Sequence, residues 1–313
     1  MSEAAVKKND FFLPRTIVVT SAITIVYLLL SYLLIGYKTD QLFLAILFNV
    51  MYYSSVVTRK FITGFSIFII YWIIFDSMKA FPNYNFSQVH IGSLYKAEQY
   101  LFGIQTNEVV LTPNEFWLQH TSTLLDALAG FFYLCWVPVP LLFAGYLFYK
   151  NKSQFLLFAL CFFLVNMMGF VIYYVYPAAP PWYVQQHGFD FIGNTKGNTA
   201  GLDRFDQLFN VRIFKSLYAK SSNVFAAMPS LHSAYPVIVL YYGIKNKLGA
   251  INIFFVLVML GIWFAAIYTS HHYVLDVIAG IVCAVTGIVL LEKILLRNKQ
   301  INLLYSNFLS KIS

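Results

Sequence analysis

The sequence predicts an all-α polytopic bundle of about eight transmembrane helices, and three observations carry that reading. The 313 residues are 59% hydrophobic and 19% aromatic but only 11% charged, where ordinary soluble domains carry roughly 25% charged residues. Mean hydropathy is +0.68. Apolar runs recur at close to the length of about 20 residues that a bilayer core demands, and basic residues return at every second junction between them. Too little polar surface remains for a soluble globular protein, a disordered chain or a nucleic-acid binder.

The runs lie near 16–36, 41–57, 61–78, 124–149, 154–176, 223–243, 250–270 and 273–292. The second and third are short and equally compatible with a re-entrant pair or interfacial helices. No small-residue cleavage site follows the first apolar stretch, so it reads as a retained span. Cys135, Cys161 and Cys283 all sit inside apolar runs and offer neither a disulfide framework nor metal spacing.

Orientation follows from the short loops. Lys7, Lys8 and Arg15 precede the first run, and Arg59 and Lys60 separate the second and third. Lys150 and Lys152 follow the fourth, Lys245 and Lys247 the sixth, and Lys293, Arg297 and Lys299 the eighth. Cytoplasmic loops are enriched in Lys and Arg, so these junctions and both termini are expected inside. The net charge of +8 thus orients the chain rather than naming a polyanionic partner. The polar stretches 79–123 and 177–222 then lie outside, as do all six histidines and the span-end acids Asp76, Asp126 and Asp276. Ionisable groups at membrane depth are costly and usually functional, so chemistry is expected on the outer face.

Two motifs concentrate it. Ala227-Met228-Pro229-Ser230-Leu231-His232-Ser233 begins the sixth run, where Pro229 fits a helix start and Ser230 with nearby backbone N–H groups can hold an anion. Ser270-His271-His272-Tyr273-Val274-Leu275-Asp276 joins the seventh and eighth runs. His272 and Asp276 are four apart and share one helix face, so the carboxylate can fix the imidazole tautomer. His232, His272 and Asp276 together supply a nucleophile, a general acid and an orienting group. Asp126 is expected to cap a helix start. Residues 94–102 are expected to form an amphipathic helix on the outer leaflet.

Pro-Ser-Leu-His followed about forty residues later by His-x-x-x-Asp resembles the type-2 phosphatidic acid phosphatase superfamily. Its second motif is usually Pro-Ser-Gly-His and its third Ser-Arg-x-x-x-x-x-His-x-x-x-Asp; here Leu231 replaces the Gly and Ala265-Ala266 the Ser-Arg pair. The first motif, Lys-x-x-x-x-x-x-Arg-Pro, is not recognisable. These departures point to one branch. Pro177-Ala178-Ala179-Pro180-Pro181-Trp182-Tyr183 resembles the Ala-Pro-Pro-Trp-Tyr element of the inositol phosphorylceramide synthases, the aureobasidin-sensitive enzymes, and Gly201-Leu202-Asp203-Arg204-Phe205-Asp206 resembles their Gly-Leu-x-Arg-Ile-Asp element. Val224-Phe225-Ala226 and the paired His271-His272-Tyr273 fit as well.

The resemblance implies a six-helix catalytic core over residues 120–292, within a catalytic membrane domain 79–313 that follows N-terminal transmembrane segments 1–78. It implies His272 as nucleophile forming a phosphohistidine, Asp276 orienting it and His232 protonating the leaving alkoxide. Arg204 replaces the missing phosphate clamp, its fork of donors suiting phosphate oxygens. Lys196, Arg212, Lys215 and Lys220 are read as a solvated basic loop beside anionic headgroups. Ser230, His271 and the Pro180, Pro181, Trp182, Tyr183 element complete the substrate-binding set, although Pro pairs also end helices and Trp and Tyr favour the headgroup belt.

No metal or cofactor is implied, because the histidines lack zinc-type spacing with a third ligand. The expected activity moves phosphoinositol from phosphatidylinositol to ceramide on the outer leaflet, in a bacterial inner membrane or a Golgi membrane. The alternative is a lipid phosphate or polyprenyl diphosphate phosphatase using the same His/His/Asp set with water. A transporter with a proton relay is disfavoured by the absence of an inverted repeat.

Overall fold

A computed structural model describes residues 12–107, 109–219 and 223–313; Lys7, Lys8 and Lys220 lie outside the described residues. The chain is helical almost throughout. Helices α1 (Pro14–Ile35), α2 (Thr39–Ser54) and α3 (Val56–Ser77) come first, followed by α4 (Gly92–Phe102), a two-stranded antiparallel hairpin of β1 (Ile104–Gln105) and β2 (Val110–Leu111), and α5 (Pro113–Gln119). Next come α6 (Thr123–Leu134), α7 (Pro138–Lys150) and α8 (Lys152–Val175), then the short helices α9 (Pro181–His187), α10 (Asp203–Leu208) and α11 (Ile213–Ala219). The chain ends with α12 (Leu231–Lys245), α13 (Ile251–Tyr268), α14 (Val274–Val289) and α15 (Lys299–Ile312).

Among the described residues, six stretches are long and apolar enough to cross a bilayer: Pro14–Ile35, Val56–Ala80, Thr123–Lys150, Lys152–Val175, Ile251–Tyr268 and Val274–Arg297. Helices occupy all eight expected places, but α2 has 16 residues and α12 has 15. The shortening of α12 has a clear cause. Residues ahead of Pro229 form a turn at Val224–Phe225 and a bridge at Ala226 with the preceding polar stretch: Ala178 N–H donates to the Phe225 carbonyl at 2.9 Å and Ala227 N–H to the Ala178 carbonyl at 3.3 Å. The run 223–243 therefore becomes helical only from Leu231. Thr123–Lys150 is broken at Cys135–Val137, ahead of Pro138 at the first position of α7, where a missing N–H costs nothing.

The bundle is organised around α12, which packs against α8, α13 and α14. Lipid tails are as apolar as leucine, so close backbone approach and interhelical hydrogen bonds drive this packing. Leu231, the departure from the usual glycine, is buried against Gly169 of α8, where a Cβ would meet its side chain at 2.7 Å. A polar chain ties three helices deep in the bundle: Tyr71 pairs with Tyr235 at 3.1 Å, and the Tyr235 hydroxyl donates to Asn166 Oδ1 at 2.6 Å. Through Ile67, Phe68 and Tyr71, α3 enters the same core as α8 and α12, so packing is continuous across residue 78.

The C-terminal residues form an unforeseen helix. Asn298 caps α15, Tyr305 pairs with Ser153 at 2.8 Å, and Lys60 and Lys152 both donate to the Ser313 main-chain oxygen. These lysines thus gather at the end of α8 opposite the histidine motifs.

The backbones of α14 and α12 approach closely at Gly280. A Cβ on Gly280 would stand 2.1 Å from the Ser230 carbonyl oxygen. Gly280→Ala should therefore cost about 2 kcal/mol or more, read as a lower thermal midpoint in detergent. Gly145→Ala, which faces open space, should stay within about 0.5 kcal/mol of the parent.

Candidate active site

The site forms where the first turn of α12 meets the turn between α13 and α14. Ser230 stands at the N-cap of α12, its hydroxyl accepting from Ser233 N–H at 3.4 Å and from Ser233 Oγ at 3.0 Å. Its own N–H donates to the Asp276 carbonyl at 2.9 Å. The Ser230 side chain is fully buried, and its hydroxyl oxygen is engaged as an acceptor in capping.

His232 and His272 meet across this junction, with His232 Nδ1 lying 3.3 Å from His272 Nε2. For such a contact to attract, one of the two nitrogens must carry a proton. On its other side, His272 Nδ1 faces Asp276 Oδ2 at 3.6 Å, and the same oxygen accepts Tyr273 N–H at 2.8 Å. His272 is only 6% exposed and Asp276 fully buried. Burial pushes His272 down to about 4, so at neutral pH its ring is uncharged. A further edge comes from α6, where the Tyr133 hydroxyl lies 3.2 Å from His232 Nδ1. The Trp136 ring packs edge-on to His232 at 4.4 Å between centroids.

Five segments hold the histidine turn. His271 and His272 N–H both donate to the Ala266 carbonyl at 3.0 Å. Ala265 and Ala266, standing where the Ser-Arg pair usually does, are fully buried, which leaves no room for an arginine. Gly201 N–H reaches the Thr269 carbonyl at 3.0 Å, and a Cβ there would lie 2.8 Å from Thr269 Cα. Trp182 N–H donates to the Ser270 carbonyl at 3.0 Å and Gln185 to Ser270 Oγ at 3.1 Å. Ser270 adopts a φ of +60°, which costs free energy for a non-glycine residue and persists only when its surroundings over-determine it. Asn114 on α5 donates to the Ile267 and His272 carbonyls at 2.8 and 2.9 Å.

The fifth clamp is Glu98 of α4, which sequence reasoning missed. Within the expected amphipathic surface helix it is fully buried, accepting Val274 N–H at 2.8 Å and Leu275 N–H at 3.1 Å. It therefore caps the helix that carries Asp276 from a distant segment, a pairing that no local spacing announces.

The remaining sequence-derived residues divide. Trp182 and Tyr183 are buried rather than belted at a headgroup surface: Tyr183 donates to the Asp190 carbonyl at 2.7 Å and accepts Ile192 N–H at 2.8 Å. Pro180 and Pro181 start α9 and seat that pair. Asp206 caps α11 through Phe214 and Lys215 N–H. Arg204 does not stand free: its Nε bonds Asp126 at 2.5 Å, and its guanidinium lies over the Tyr268 ring at 5.1 Å. Its second terminal nitrogen, buried beside Gly201, has no hydrogen-bond partner among the described residues.

Asp126 is not a helix cap, since Ser122 takes that place; it accepts from Arg204 and from the Tyr268 hydroxyl at 2.8 Å. His271 is 5% exposed, with Nδ1 3.0 Å from Thr269 Oγ1 and Nε2 buried without a hydrogen-bond partner among the described residues. Lys196, Arg212 and Lys215 are exposed. Asp76 pairs with Lys79 at 2.6 Å, His90 stacks on Tyr176 and His120 on Phe116.

With this geometry in place, residues 93–290 match the family model of the PAP2 superfamily. The chain belongs to that superfamily. It is 45% identical over 274 residues to the phosphoinositol dihydroceramide synthase of Bacteroides thetaiotaomicron, covering 87% of this chain and 89% of that protein. It is 29% identical over 175 residues to the inositol phosphorylceramide synthase of Candida albicans, covering 53% and 36% of the two chains. It is also 26% identical over 259 residues to the catalytic subunit of that synthase from Saccharomyces cerevisiae, covering 75% and 59%. The chain thus spans only about a third to three fifths of the fungal proteins. No solved structure matches it.

Glu98 supplies a pH test. Desolvation on burial raises its carboxyl to about 7, opposed by the two backbone N–H bonds. Because this folded value lies above the ordinary carboxylate one, the stability it confers is full below about pH 4.5 and is lost as pH rises towards 7. The thermal midpoint of the parent in detergent should fall across that window, and Glu98→Gln should flatten the slope; an unchanged slope would exclude Glu98 as its source.

Proposed function

We propose that this PAP2-superfamily membrane protein transfers phosphoinositol from phosphatidylinositol to the primary hydroxyl of ceramide through a phosphohistidine on His272. The observation that carries the reading is the line Asp276 Oδ2, His272, His232 Nδ1, with contacts of 3.6 and 3.3 Å. Uncharged His272 keeps its proton on Nδ1, facing Asp276, and offers the Nε2 lone pair to phosphorus. As the N–P bond forms and the P–O bond to diacylglycerol breaks, His232 delivers its proton to the departing alkoxide. Ceramide then attacks the phosphohistidine while His232 takes the proton of its hydroxyl. Apo contacts of this kind are often long and tighten in the reacting complex.

Arg204 is proposed to meet the phosphate, because phosphoryl transfer needs charge stabilisation on its non-bridging oxygens. Asp126 and Tyr268 fix one edge of the guanidinium and leave a buried N–H group without a protein partner. His271 Nε2, likewise buried and unpartnered, is proposed as a headgroup contact. The alternation of basic junctions supports placing the site on the extracytoplasmic face, in a bacterial inner membrane by likeness to the Bacteroides protein.

Incubation of the purified protein with phosphatidylinositol and ceramide should yield diacylglycerol and an inositol-containing sphingolipid. Release of inositol phosphate or inorganic phosphate without a new sphingolipid would establish hydrolysis instead. His272→Ala should abolish turnover, and retained activity would sink the nucleophile assignment. Arg204→Ala should lower kcat/KM about 100-fold, a loss of about 2.7 kcal/mol of transition-state stabilisation, with the melting curve in detergent reporting whether the fold survives.

A further inference from the structure

We infer that Tyr133 is a positioning residue for the proton transfer: its hydroxyl holds the Nδ1 edge of His232 against His272 and selects Nδ1 as the nitrogen that carries the mobile proton. The inference rests on the phosphohistidine reading above. His232 Nδ1 stands between two partners, His272 Nε2 at 3.3 Å and the Tyr133 hydroxyl at 3.2 Å. Tyr133 is 1% exposed, so no solvent competes for that hydroxyl. Its oxygen accepts from the Tyr218 hydroxyl of α11 at 3.4 Å, which leaves the Tyr133 proton free to turn towards His232.

A hydroxyl both donates and accepts, and this is what the two states of His232 require. Before transfer, His232, protonated beside the negative charge of the bound phosphodiester, presents an Nδ1–H that the Tyr133 oxygen accepts in part. The N–P bond then forms at His272 Nε2, the P–O bond to the leaving lipid breaks, and the Nδ1 proton passes to the alkoxide oxygen. Nδ1 now carries a lone pair, and the Tyr133 O–H rotates to donate to it. When the acceptor alcohol attacks, its proton returns to Nδ1 and the hydroxyl rotates back. Tyr133 loses no proton at any stage. It lowers the cost of both protonation states in a site from which water is excluded, and keeps the ring from turning its other nitrogen to the phosphate.

The aromatic ring itself packs beside Phe214 and His271, so Tyr133→Phe preserves the packing and removes only the hydroxyl. With phosphatidylinositol as donor, this variant should lose about 10- to 100-fold in kcat, within the range that positioned acid–base groups supply, while the donor KM stays within about 2-fold of the parent. The nitrophenyl ester of phosphoinositol has a leaving group that departs unprotonated. With that donor, release of nitrophenolate in the first turnover should proceed at the parent rate in Tyr133→Phe.

Equal slowing on both donors would assign Tyr133 a merely structural role and overturn the inference, as would an unchanged kcat on the lipid donor. Tyr218→Phe, on a half-buried residue of a short helix, provides a second variant. It should slow only the lipid donor, by about 3-fold, and no selective effect from either variant would also overturn the inference. Activity retained by His272→Ala would instead remove the reading beneath it; a dead His272→Ala alongside an unaffected Tyr133→Phe would remove this inference alone.

Discussion

The hydrogen bond from Ser230 N–H to the Asp276 carbonyl, at 2.9 Å, is the constraint on which the rest of the site depends. It locks the first turn of α12 onto the first turn of α14, and it requires Gly280 because a side chain there would collide with the Ser230 carbonyl. Once those two turns are docked, His232 and His272 are held together: His232 is two residues and His272 four residues from the bond, and Asp276 is its acceptor. In a bilayer, where burial of apolar surface gives helices little reason to associate, a backbone bond plus a glycine contact defines a junction more sharply than any set of leucines could.

The same junction explains the conspicuous sequence elements that do not touch it directly. Gly201 and Trp182 bond the Thr269 and Ser270 carbonyls, Asn114 the His272 carbonyl, and Glu98 the N–H groups that open α14. These donors and acceptors come from four separate segments, and together they hold Ser270 in a left-handed backbone conformation. The Ala-Pro-Pro-Trp-Tyr and Gly-Leu-x-Arg-x-Asp elements are thus chiefly the scaffold of the histidine turn. Within them Arg204 is the exception, since one edge of its guanidinium is anchored by Asp126 while another N–H group is left without a protein partner.

Much of this was legible in the sequence, and the reason differs from element to element. Spans announce themselves through composition, and His272 with Asp276 through a helical spacing of four. The fate of Trp182 and Tyr183 was not legible, because an aromatic pair beside two prolines reads equally as a headgroup anchor or a buried wedge until its neighbours are known. Glu98 was invisible for a sharper reason: within its own helix it looks like a solvated charge, and only the distant N-terminus of α14 gives it a purpose. The length of α12 was overestimated because apolarity counts Val224–Ala227 as membrane span, while Pro229 and the pairing with Ala178 keep those residues out of the helix.

The departures from the usual superfamily motifs are mutually consistent once volumes are considered. Leu231 in place of glycine is matched by Gly169 across the helix contact, where a side chain would collide with it. Ala265 and Ala266 in place of Ser-Arg fill a fully buried layer whose Ala266 carbonyl receives both histidine N–H groups. Removing the arginine from that layer removes a cation from beneath the histidines, and under the proposed chemistry the compensation must come from another direction. Arg204 approaches from α10, in the segment ahead of α12 that also carries Tyr218. A buried, uncharged His272 favours a hydroxyl delivered by a second lipid over one delivered by water. That feature suits transfer of a headgroup between lipids better than hydrolysis of a small phosphate ester.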